Sequence, residues 1–540
     1  MSGTFPAGAE PATLTADVLV IGGGLAGAWA ALSAAEQGAK VVLVEKGYCG
    51  TSGVTATAGV GHWWMPGPAR PAEVERRTTA GGGLTDPWWM YRTMDLVWSR
   101  LPELDRWVRW PQRDGQPYRR ASIRGPEYMR LMRARVRRSG VTILDHHPAT
   151  QLLRHADGTV AGAAGIRRQE GGGWACAAPA VILATGGTAF LSRLLGANNN
   201  TGDGHLMAAE AGAHFAGMEF SSYYTVAAAH STMTRSIPFM YGTYRDCDGQ
   251  ELELEGTRAG TPVIARALAR GPVTVTLDRM PPATRDRLRN VQPNFLLPLV
   301  RRGIDPFRHP FEITLHGEGT IRGTGGVEVT GTDGQTSVEG LYAAGDVASR
   351  VRIVGGASGG GSPNSAWCVA SGTWTGQAAA RRAAAARARG GVLGGTARPL
   401  DRAGSPGQAG LVPRSAARAL DVTAIRDTVR HELNDYDKNL FRTEAGLRRS
   451  LAVLDGLWSG LADHGAGGAD RDGLRTREAA ALVATGRWCL AAALARPETR
   501  GMHRRTDAPG TDPRLAGTIF TGGLDRIWTE RPGQAQQEAS

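Results

Sequence analysis

Lysine is scarce in this chain of 540 residues, although its formal net charge is +12. Lys40, Lys46 and Lys438 are the only lysines, so arginine carries nearly all of the positive charge and is spread along the sequence. The densest basic run, Arg130 to Arg138, also contains apolar residues at helical spacing, which favours a helix with a solvated basic face. We therefore predict no nucleic-acid partner.

Cysteine is also infrequent, and long apolar runs are missing. The five cysteines lie far apart, at Cys49, Cys176, Cys247, Cys368 and Cys489. This spacing excludes a C-x-x-C metal or iron–sulfur framework, so any such cluster would have to belong to another protein. No apolar run is long enough to cross a bilayer, and the first 15 residues lack the charged and apolar regions of a signal peptide. We expect a cytoplasmic protein with no metal site and no membrane segment.

The most informative motif lies near the start of the chain, where a predicted strand meets a predicted helix. Asp17 to Ile21 form an apolar, β-branched run typical of a strand buried on both faces. Gly22, Gly24 and Gly27 then fill the G-x-G-x-x-G spacing, which permits a tight turn, close approach of a pyrophosphate and close packing of helix on strand. A second strand ends in Glu45, at the distance where an acid binds ribose hydroxyls. The pattern predicts a dinucleotide site.

Several later motifs occur in a recognisable order. They are A-T-G-G at 184–187, N-T-G-D-G-H at 200–205, G-L-Y-A-A-G-D at 340–346 and R-G-M-H-R-R-T-D at 500–507. Together they resemble the flavoprotein subunits of succinate dehydrogenase and fumarate reductase, a family with L-aspartate oxidase and the α subunit of adenylylsulfate reductase. The resemblance covers nearly the whole chain and implies that the dinucleotide is FAD.

The same resemblance implies an α/β fold: a Rossmann-like FAD-binding domain, an inserted α+β capping domain and a C-terminal helical domain. We assign residues 1–218 and 323–388 to the FAD-binding domain and residues 219–322 to the capping domain, which would hold the substrate. Residues 389–417, rich in glycine, proline, alanine and arginine, form a predicted linker. Residues 418–540 form the C-terminal helical domain, because their apolar residues step by three and four.

We predict one FAD, held without a covalent bond, because no histidine stands around Ser52 and Gly53, where the family attaches the flavin. The predicted contacts come from the nucleotide turn, the glycine-rich segment after it, three later turns and the loop before a long alanine-rich helix. They are Gly22, Gly24, Leu25, Ala26, Gly27, Glu45, Lys46, Thr51, Ser52, Ala58, Gly59, Val60, Ala149, Ala184, Thr185, Gly186, Asp203, Gly345, Asp346, Ser362, Asn364 and Ser365.

This chain departs from the family at the residues that handle dicarboxylates. Members of that kind carry an arginine in an R-G-E-G segment of the cap, a histidine before T-x-G-G and an arginine in G-A-N-R-L-G-G-N-S. Here Met240 to Tyr244 replace the first segment, Ile321 and Arg322 precede the second, and Gly359 stands in place of the last arginine. The resemblance is nearer to the adenylylsulfate reductase branch, whose members pass electrons to a ferredoxin-like partner. Succinate and fumarate are therefore predicted to be poor substrates.

Three side chains are predicted to replace the missing catalytic groups. His62 follows the glycine-rich segment, while Arg235 and Tyr241 belong to the cap. Arginine suits the anchoring of an anion, and histidine or tyrosine can transfer the proton that accompanies oxidation. A packed core position remains an equal alternative for His62.

We predict an FAD-dependent oxidoreductase, a dehydrogenase or reductase that acts on a small polar or anionic substrate by hydride transfer at flavin N5. The alternative is a non-catalytic or electron-transfer flavoprotein subunit that works with a ferredoxin-like iron–sulfur partner. The sequence leaves the oligomeric state open.

Overall fold

The structure is a computed structural model in which part of the chain is described. The described residues are 12–108, 110, 122–234, 236–254, 260–291, 293–389, 418–465, 470–534 and 537–538. Arg235 and all of the predicted linker except Arg389 lie outside these residues.

A five-stranded parallel sheet forms the centre of the first part of the chain. Its strands, in spatial order, are Leu341–Ala343, Ala180–Leu183, Val18–Ile21, Val41–Val44 and Thr142–Leu144. The middle strands are apolar at every position because both of their faces are covered. The order places the strand before the nucleotide turn at the centre, so the turn emerges in the middle of one sheet edge.

Two helices pack against each other on one face of this sheet, Leu25–Glu36 and Ser362–Ala388. A side chain on Gly372 or Gly376 would overlap the backbone of the first helix. The two glycines therefore permit a close approach of the helix axes, which seals the core beneath the nucleotide turn.

Smaller elements surround the parallel sheet. A four-stranded sheet has the order Ala12–Thr15, Gly173–Ala177, Val160–Ile166 and Ala149–Arg154, and Gly59–Gly61 pairs with the distant segment Ser122–Arg124 in an antiparallel two-stranded sheet. The α-helices of this region are Arg70–Ala80, Pro87–Arg100, Gly125–Arg138, Asp203–Glu210 and Val351–Val354. Single 3₁₀ turns occupy Thr55–Thr57, Gly67–Ala69, Leu101–Leu104 and Gly345–Val347.

An antiparallel sheet with its own apolar core lies within the predicted cap. Its strands, in order, are Tyr224–Ala228, Phe311–Gly317, Val273–Thr276 and Thr243–Arg245. Its helices are Ser236–Phe239, Thr261–Leu268, Pro282–Val291, Pro293–Val300 and Gly319–Arg322. The last of these helices follows the sheet directly and returns the chain to the parallel sheet.

The C-terminal part combines helices with strands. The helices are Val422–Asn434, Tyr436–Leu440, Glu444–His464, Arg471–Ala495 and the 3₁₀ turn Pro513–Leu515. A further sheet has the order Gly326–Val327, Phe215–Ala216, Phe520–Gly522, Trp528–Glu530 and Gln537–Glu538. The segment predicted to be helical thus also supplies three strands, and the first of them, Phe520–Gly522, pairs with Phe215–Ala216 just before the cap. The α/β fold class is confirmed, and the exact domain boundaries stay a prediction.

We expected no segment able to span a membrane, but helix Arg471–Ala495 is long and apolar enough to do so. It is the one helix in the described part of the chain that is long and apolar enough by length and composition, with a mean hydropathy of 1.2. However, 89% of its apolar window is buried inside the protein, as in the central helix of a folded domain. The cytoplasmic location stays a prediction.

Candidate active site

The nucleotide turn has the geometry that its glycines predict. Gly22 has φ +106°, a conformation that favours glycine, and a Cβ on Gly27 would overlap the Gly22 carbonyl oxygen. Gly24 begins the helix without a side-chain cap, and a Cβ built on it would meet no atom within 4 Å. The positive end of the helix therefore faces open space, which suits a phosphate group.

Glu45 is fixed beside this turn by two backbone amides. Its Oε2 accepts a hydrogen bond from Gly23 N at 2.6 Å, and its Oε1 accepts one from Gly47 N at 2.8 Å. Because both amides hold the carboxylate in one orientation, its remaining acceptor sites can meet the hydroxyls of a ribose.

The turn opens into a cleft with about 900 Å³ of empty space, open solvent included, which we call the main cleft. Thr185 Oγ1 is buried near it without a hydrogen-bond partner among the described residues, a donor and acceptor that a polar ligand can satisfy. Most of the predicted cofactor contacts line this cleft. They are Gly22, Gly24, Leu25, Ala26, Glu45, Lys46, Ser52, Ala149, Ala184, Thr185, Gly186, Asp203, Gly345 and Asp346. These features fit a dinucleotide.

Lys46 connects the main cleft to the C-terminal part of the chain. Its Nζ lies 2.8 Å from Asp203 Oδ2, 2.8 Å from Thr201 Oγ1 and 2.6 Å from Glu478 Oε1. Burial lowers the pKa of Lys46, but the two carboxylates outweigh that effect and raise it above its ordinary value. Lys46 and Asp203, both predicted cofactor contacts, therefore form an ion pair in the wall of the cleft.

A second cavity adjoins the main cleft, with about 750 Å³ of empty space, and we call it the cap cavity. Val54, Thr55, Asp346 and Cys368 line both spaces. The cap cavity includes five more of the predicted cofactor contacts, Ala58, Gly59, Val60, Asn364 and Ser365. Three other predicted cofactor contacts, Gly27, Thr51 and Ser362, are not among the described residues that line either space.

Asp346 stands where the two spaces meet and is held by Arg350. Their Oδ1 and Nη1 atoms lie 2.5 Å apart, and Arg350 also donates to the carbonyl oxygens of Thr320 and Ile321 at 3.0 and 2.9 Å. Burial raises the pKa of Asp346, and Arg350 opposes this effect only in part. Arg350 thus ties the Gly345–Val347 turn to the base of the cap.

The cap cavity also contains a second arginine–carboxylate pair. Arg322 Nε lies 3.0 Å from Glu318 Oε2, and its guanidinium lies over the ring of Tyr223, with 5.9 Å from Cζ to the ring centroid. Burial lowers the pKa of Arg322, but Glu318 and Tyr223 outweigh burial and raise it. Arg322 is therefore a permanent cation in the cavity wall.

Two glycines make room for these two arginines. A Cβ on Gly359 would lie 2.6 Å from Arg350 Nε, and a Cβ on Gly360 would lie 2.6 Å from Arg322 Cδ. Gly359 is the position at which dicarboxylate-handling relatives are expected to carry an arginine. Arg350 and Arg322, which come from two other segments, thus occupy the space beside Gly359 and Gly360.

The structure does not bring the three predicted catalytic residues together. His62 is 4% exposed, its Nε2 lies 3.3 Å from the Tyr128 hydroxyl, and its ring packs edge-on against Trp110. Burial lowers the pKa of His62 to about 3, so the ring is neutral. The described linings of the main cleft and the cap cavity do not include it.

The other two predicted catalytic residues are Tyr241 and Arg235. Tyr241 packs against the apolar core of the cap, and the described linings of the two spaces do not include it. Arg235 lies outside the described residues, although its neighbour Thr234 lines the cap cavity. The roles of all three remain predictions.

The C-terminal R-G-M-H motif forms a buried network behind the glycine-rich loop. His503 Nδ1 lies 2.7 Å from Arg442 Nη1, and Met502 N donates to the Gly356 carbonyl oxygen at 2.7 Å. Arg442 also donates to the Glu219 carbonyl oxygen at 2.7 Å. These contacts join the C-terminal helices to the loop and the cap, which indicates an architectural role for the motif.

Glu318 was not among the predicted site residues, and Arg322 was noted only as a departure from a family motif. No sequence pattern marks either residue as part of a site. The available signal was indirect: Gly359 stands where dicarboxylate-handling relatives are expected to carry an arginine, and adjacent glycines in a loop indicate the close approach of another segment.

Comparisons with known proteins identify the family. A model of FAD dependent oxidoreductases matches residues 17–253, and a model of the fumarate reductase flavoprotein C-terminal region matches residues 431–517. An L-aspartate oxidase from Mycobacterium tuberculosis is 30% identical over 550 residues, which cover 94% of this chain and 96% of that protein. The chain belongs to the succinate dehydrogenase/fumarate reductase flavoprotein family. It is an FAD-dependent oxidoreductase, as the sequence predicted.

Solved structures of this family share the fold over the whole chain. A quinol fumarate reductase from Escherichia coli has a TM-score of 0.78 at 19% identity and covers 98% of this chain and 97% of its own. Adenylylsulfate reductase from Archaeoglobus fulgidus has a TM-score of 0.76 at 20% identity, with coverage of 98% and 97%. At such identities these likenesses show the fold alone, so a position nearer to the adenylylsulfate reductase branch stays a prediction.

Proposed function

We propose that this flavoprotein dehydrogenates a small polar substrate with one anionic group, or catalyses the reverse reduction, in the cap cavity. The observation that carries the proposal is the position of Arg322, a partly buried cation in a cavity that shares Asp346 and Cys368 with the main cleft. FAD bound in the main cleft supplies the hydride acceptor, at flavin N5.

Arg322 would anchor the anionic group of the substrate. A guanidinium has five donors in a planar fork, and here its Nε is directed at Glu318 by the ion pair. A substrate carboxylate would bind this fork beside Glu318 and Tyr223, with whose side chains the guanidinium also interacts. Positioning of this kind contributes to catalysis because it fixes the reacting carbon relative to the acceptor.

The charges of the cap cavity support the prediction that succinate and fumarate are poor substrates. Among its described lining residues, Arg322 is the one cation, while Glu318 and Asp346 are carboxylic acids. A dianion would pair one of its charges with Arg322 and leave the other near carboxylates, which is unfavourable in a partly desolvated site.

The proposal also assigns the residues that hold FAD. The turn at Gly22 and Gly24 would receive the pyrophosphate, Glu45 the adenosine ribose and Asp346 the ribityl chain. The remaining predicted contacts that line the main cleft and the cap cavity would complete the site, without a covalent bond. Supporting this assignment are the open helix terminus, the fixed carboxylate of Glu45 and the continuity of the two spaces.

Electrons must then leave to a second molecule. The described residues contain no group of three or more histidine, cysteine, aspartate or glutamate side chains placed to bind a metal ion. We propose oxygen, a quinone or a ferredoxin-like iron–sulfur protein as the acceptor, to be distinguished by a screen of acceptors after anaerobic reduction.

Anaerobic reduction by a substrate panel tests the function. Monocarboxylates with an amino or hydroxyl group, amines and dicarboxylates are mixed with the holoenzyme, and loss of the oxidised flavin absorbance is followed. In Arg322→Ala the reduction should slow by about a hundredfold, because a charge-assisted contact contributes about 1.5–3 kcal/mol. Arg352→Ala, which removes an exposed arginine outside both spaces, is the matched control and should leave the rate unchanged.

Two results would contradict the proposal. One is a substrate that reduces the wild type and Arg322→Ala at the same rate. The other is reduction by succinate at the rate of the best monocarboxylate. Arg235→Ala, measured in parallel, tests whether the neighbour of Thr234 shares the anchoring role.

A further inference from the structure

We infer that Glu318 and Arg322 form a charge pair that selects a zwitterionic substrate, a small amino monocarboxylate, with its ammonium group at Glu318 and its carboxylate at Arg322. This inference rests on the proposed function and adds the chemical class of the substrate and the group that accepts its proton.

The first observation concerns the unused oxygen of Glu318. Its side chain is 2% exposed, and Oε2 is bonded to Arg322. The other oxygen, Oε1, is buried and has no hydrogen-bond partner among the described residues. A buried carboxylate oxygen without a donor costs free energy, so a ligand that brings a donor into the cap cavity is favoured. An ammonium group is the donor that best matches a carboxylate.

The second observation is the rigidity of the segment that carries the pair. Glu318 N donates to the Tyr223 carbonyl oxygen at 2.8 Å, and Thr320 N donates to the Thr188 carbonyl oxygen at 2.8 Å. Gly319 has φ +49°, and a Cβ there would overlap the same Thr188 oxygen. The positions of Glu318 and Arg322 are thus fixed by backbone contacts rather than by the ligand.

The spacing of the two charges defines the ligand. Because Glu318 and Arg322 are in direct contact at 3.0 Å, a molecule that meets both must carry its own opposite charges close together. An amino and a carboxyl group on the same or on neighbouring carbons meet this requirement. Such a zwitterion also adds no net charge to the cavity, whereas a monoanion, a monocation or a dianion would each leave an uncompensated charge in a partly desolvated space.

The chemistry balances with Glu318 as the proton acceptor. The ammonium nitrogen would give one proton to Glu318, and the neighbouring C–H bond would break with its hydrogen leaving together with both electrons as hydride, for which FAD bound in the main cleft would be the acceptor. The C–N single bond becomes a C=N double bond, so the product leaves as an iminium ion. Two electrons and one hydrogen nucleus pass to the acceptor, and the second proton stays on the carboxyl group.

Binding and reduction with matched probes test the inference. The holoenzyme is mixed with the neutral α-amino acids and β-alanine, and the best binder is compared with analogues that lack the amino group, replace it with hydroxyl or lack the carboxylate. Binding is read from the shift in thermal unfolding temperature, and chemistry from anaerobic loss of flavin absorbance. We expect the amino acid to bind at least tenfold more tightly than each analogue.

Variants at the pair separate recognition from folding. Glu318→Gln keeps the shape of the side chain, so FAD content and circular dichroism should match the wild type. It should weaken binding of the amino acid by tenfold or more and change binding of the deaminated analogue by less than twofold. Arg322→Gln should weaken the binding of both ligands.

The outcomes distinguish the inference from the proposed function. If the hydroxyl or deaminated analogue binds as tightly as the amino acid, or if no amino acid binds, the inference is overturned. Reduction by such an analogue that still depends on Arg322 would leave the proposed function intact. If Arg322→Gln weakens neither binding nor reduction by any probe, both are overturned.

Discussion

Gly360→Ala offers a direct test of how the loop positions Arg322. The added Cβ would lie 2.6 Å from Arg322 Cδ and 3.0 Å from Nε, closer than real Cβ contacts. Because Arg322 is a flexible side chain, it should move by several tenths of an ångström and lengthen its bond to Glu318, now 3.0 Å. Gly360 does not have a positive φ, so alanine itself is compatible with the backbone.

The expected cost is about half of a charge-assisted contact, about 0.8–1.5 kcal/mol, or about four- to twelvefold in the rate of flavin reduction at low substrate concentration. FAD content should stay unchanged. The assay is anaerobic stopped-flow reduction over a range of substrate concentrations. Gly456→Ala, where a Cβ would meet no atom within 4 Å, is the control.

A double-mutant cycle decides whether the effect passes through Arg322. In the Arg322→Ala background the new methyl group has nothing to displace, so Gly360→Ala should change the rate by less than twofold. An equal effect of Gly360→Ala in both backgrounds would show that the effect arises in the loop backbone and not through Arg322.

Three further predictions use other parts of the structure. Gly24→Val should yield a folded protein with little FAD, measured by the ratio of flavin to protein absorbance, because the side chain would project into the main cleft. Succinate and fumarate should give less than 1% of the turnover of the best substrate, measured in both directions with artificial electron donors and acceptors. Because of His62, the free energy of unfolding should decrease as the pH falls from 6.5 to about 3. These are the pKa values of the His62 imidazole in the unfolded and the folded protein, so between them only the unfolded state is protonated. His62→Phe should flatten this slope by up to about 1.4 kcal/mol per pH unit in denaturant titrations; an unchanged slope would argue against a buried neutral imidazole.

The amino-acid sequence alone determined the fold class, the family and the cofactor. These rest on local constraints: Gly22 needs a positive φ, Gly27 must lie against the Gly22 carbonyl oxygen, and Glu45 ends the next strand. Each of these constraints involves residues that are a few positions apart or that lie on adjacent parallel strands, so it produces a recognisable pattern in the sequence.

Only the tertiary structure decided which side chains enter the candidate active site. His62 follows a segment that lines the cap cavity, yet its ring packs in an aromatic cluster with Trp110 and Tyr128. This packing is favourable because it removes the apolar surface of the ring from water. Its sequence neighbours could not show this, since Tyr128 is 66 residues away.

The pairing of Arg322 with the glycine loop has the same origin. Gly360 accepts the Arg322 side chain from a segment 38 residues earlier, and Arg350 enters beside Gly359. Likewise Phe520–Gly522 pairs with Phe215–Ala216 across most of the chain, which a helical pattern in the C-terminal part could not foretell. Contacts of this kind depend on how segments that are distant in sequence pack together in space. Neither the periodicity of apolar residues nor the spacing of motifs along the sequence predicts that packing.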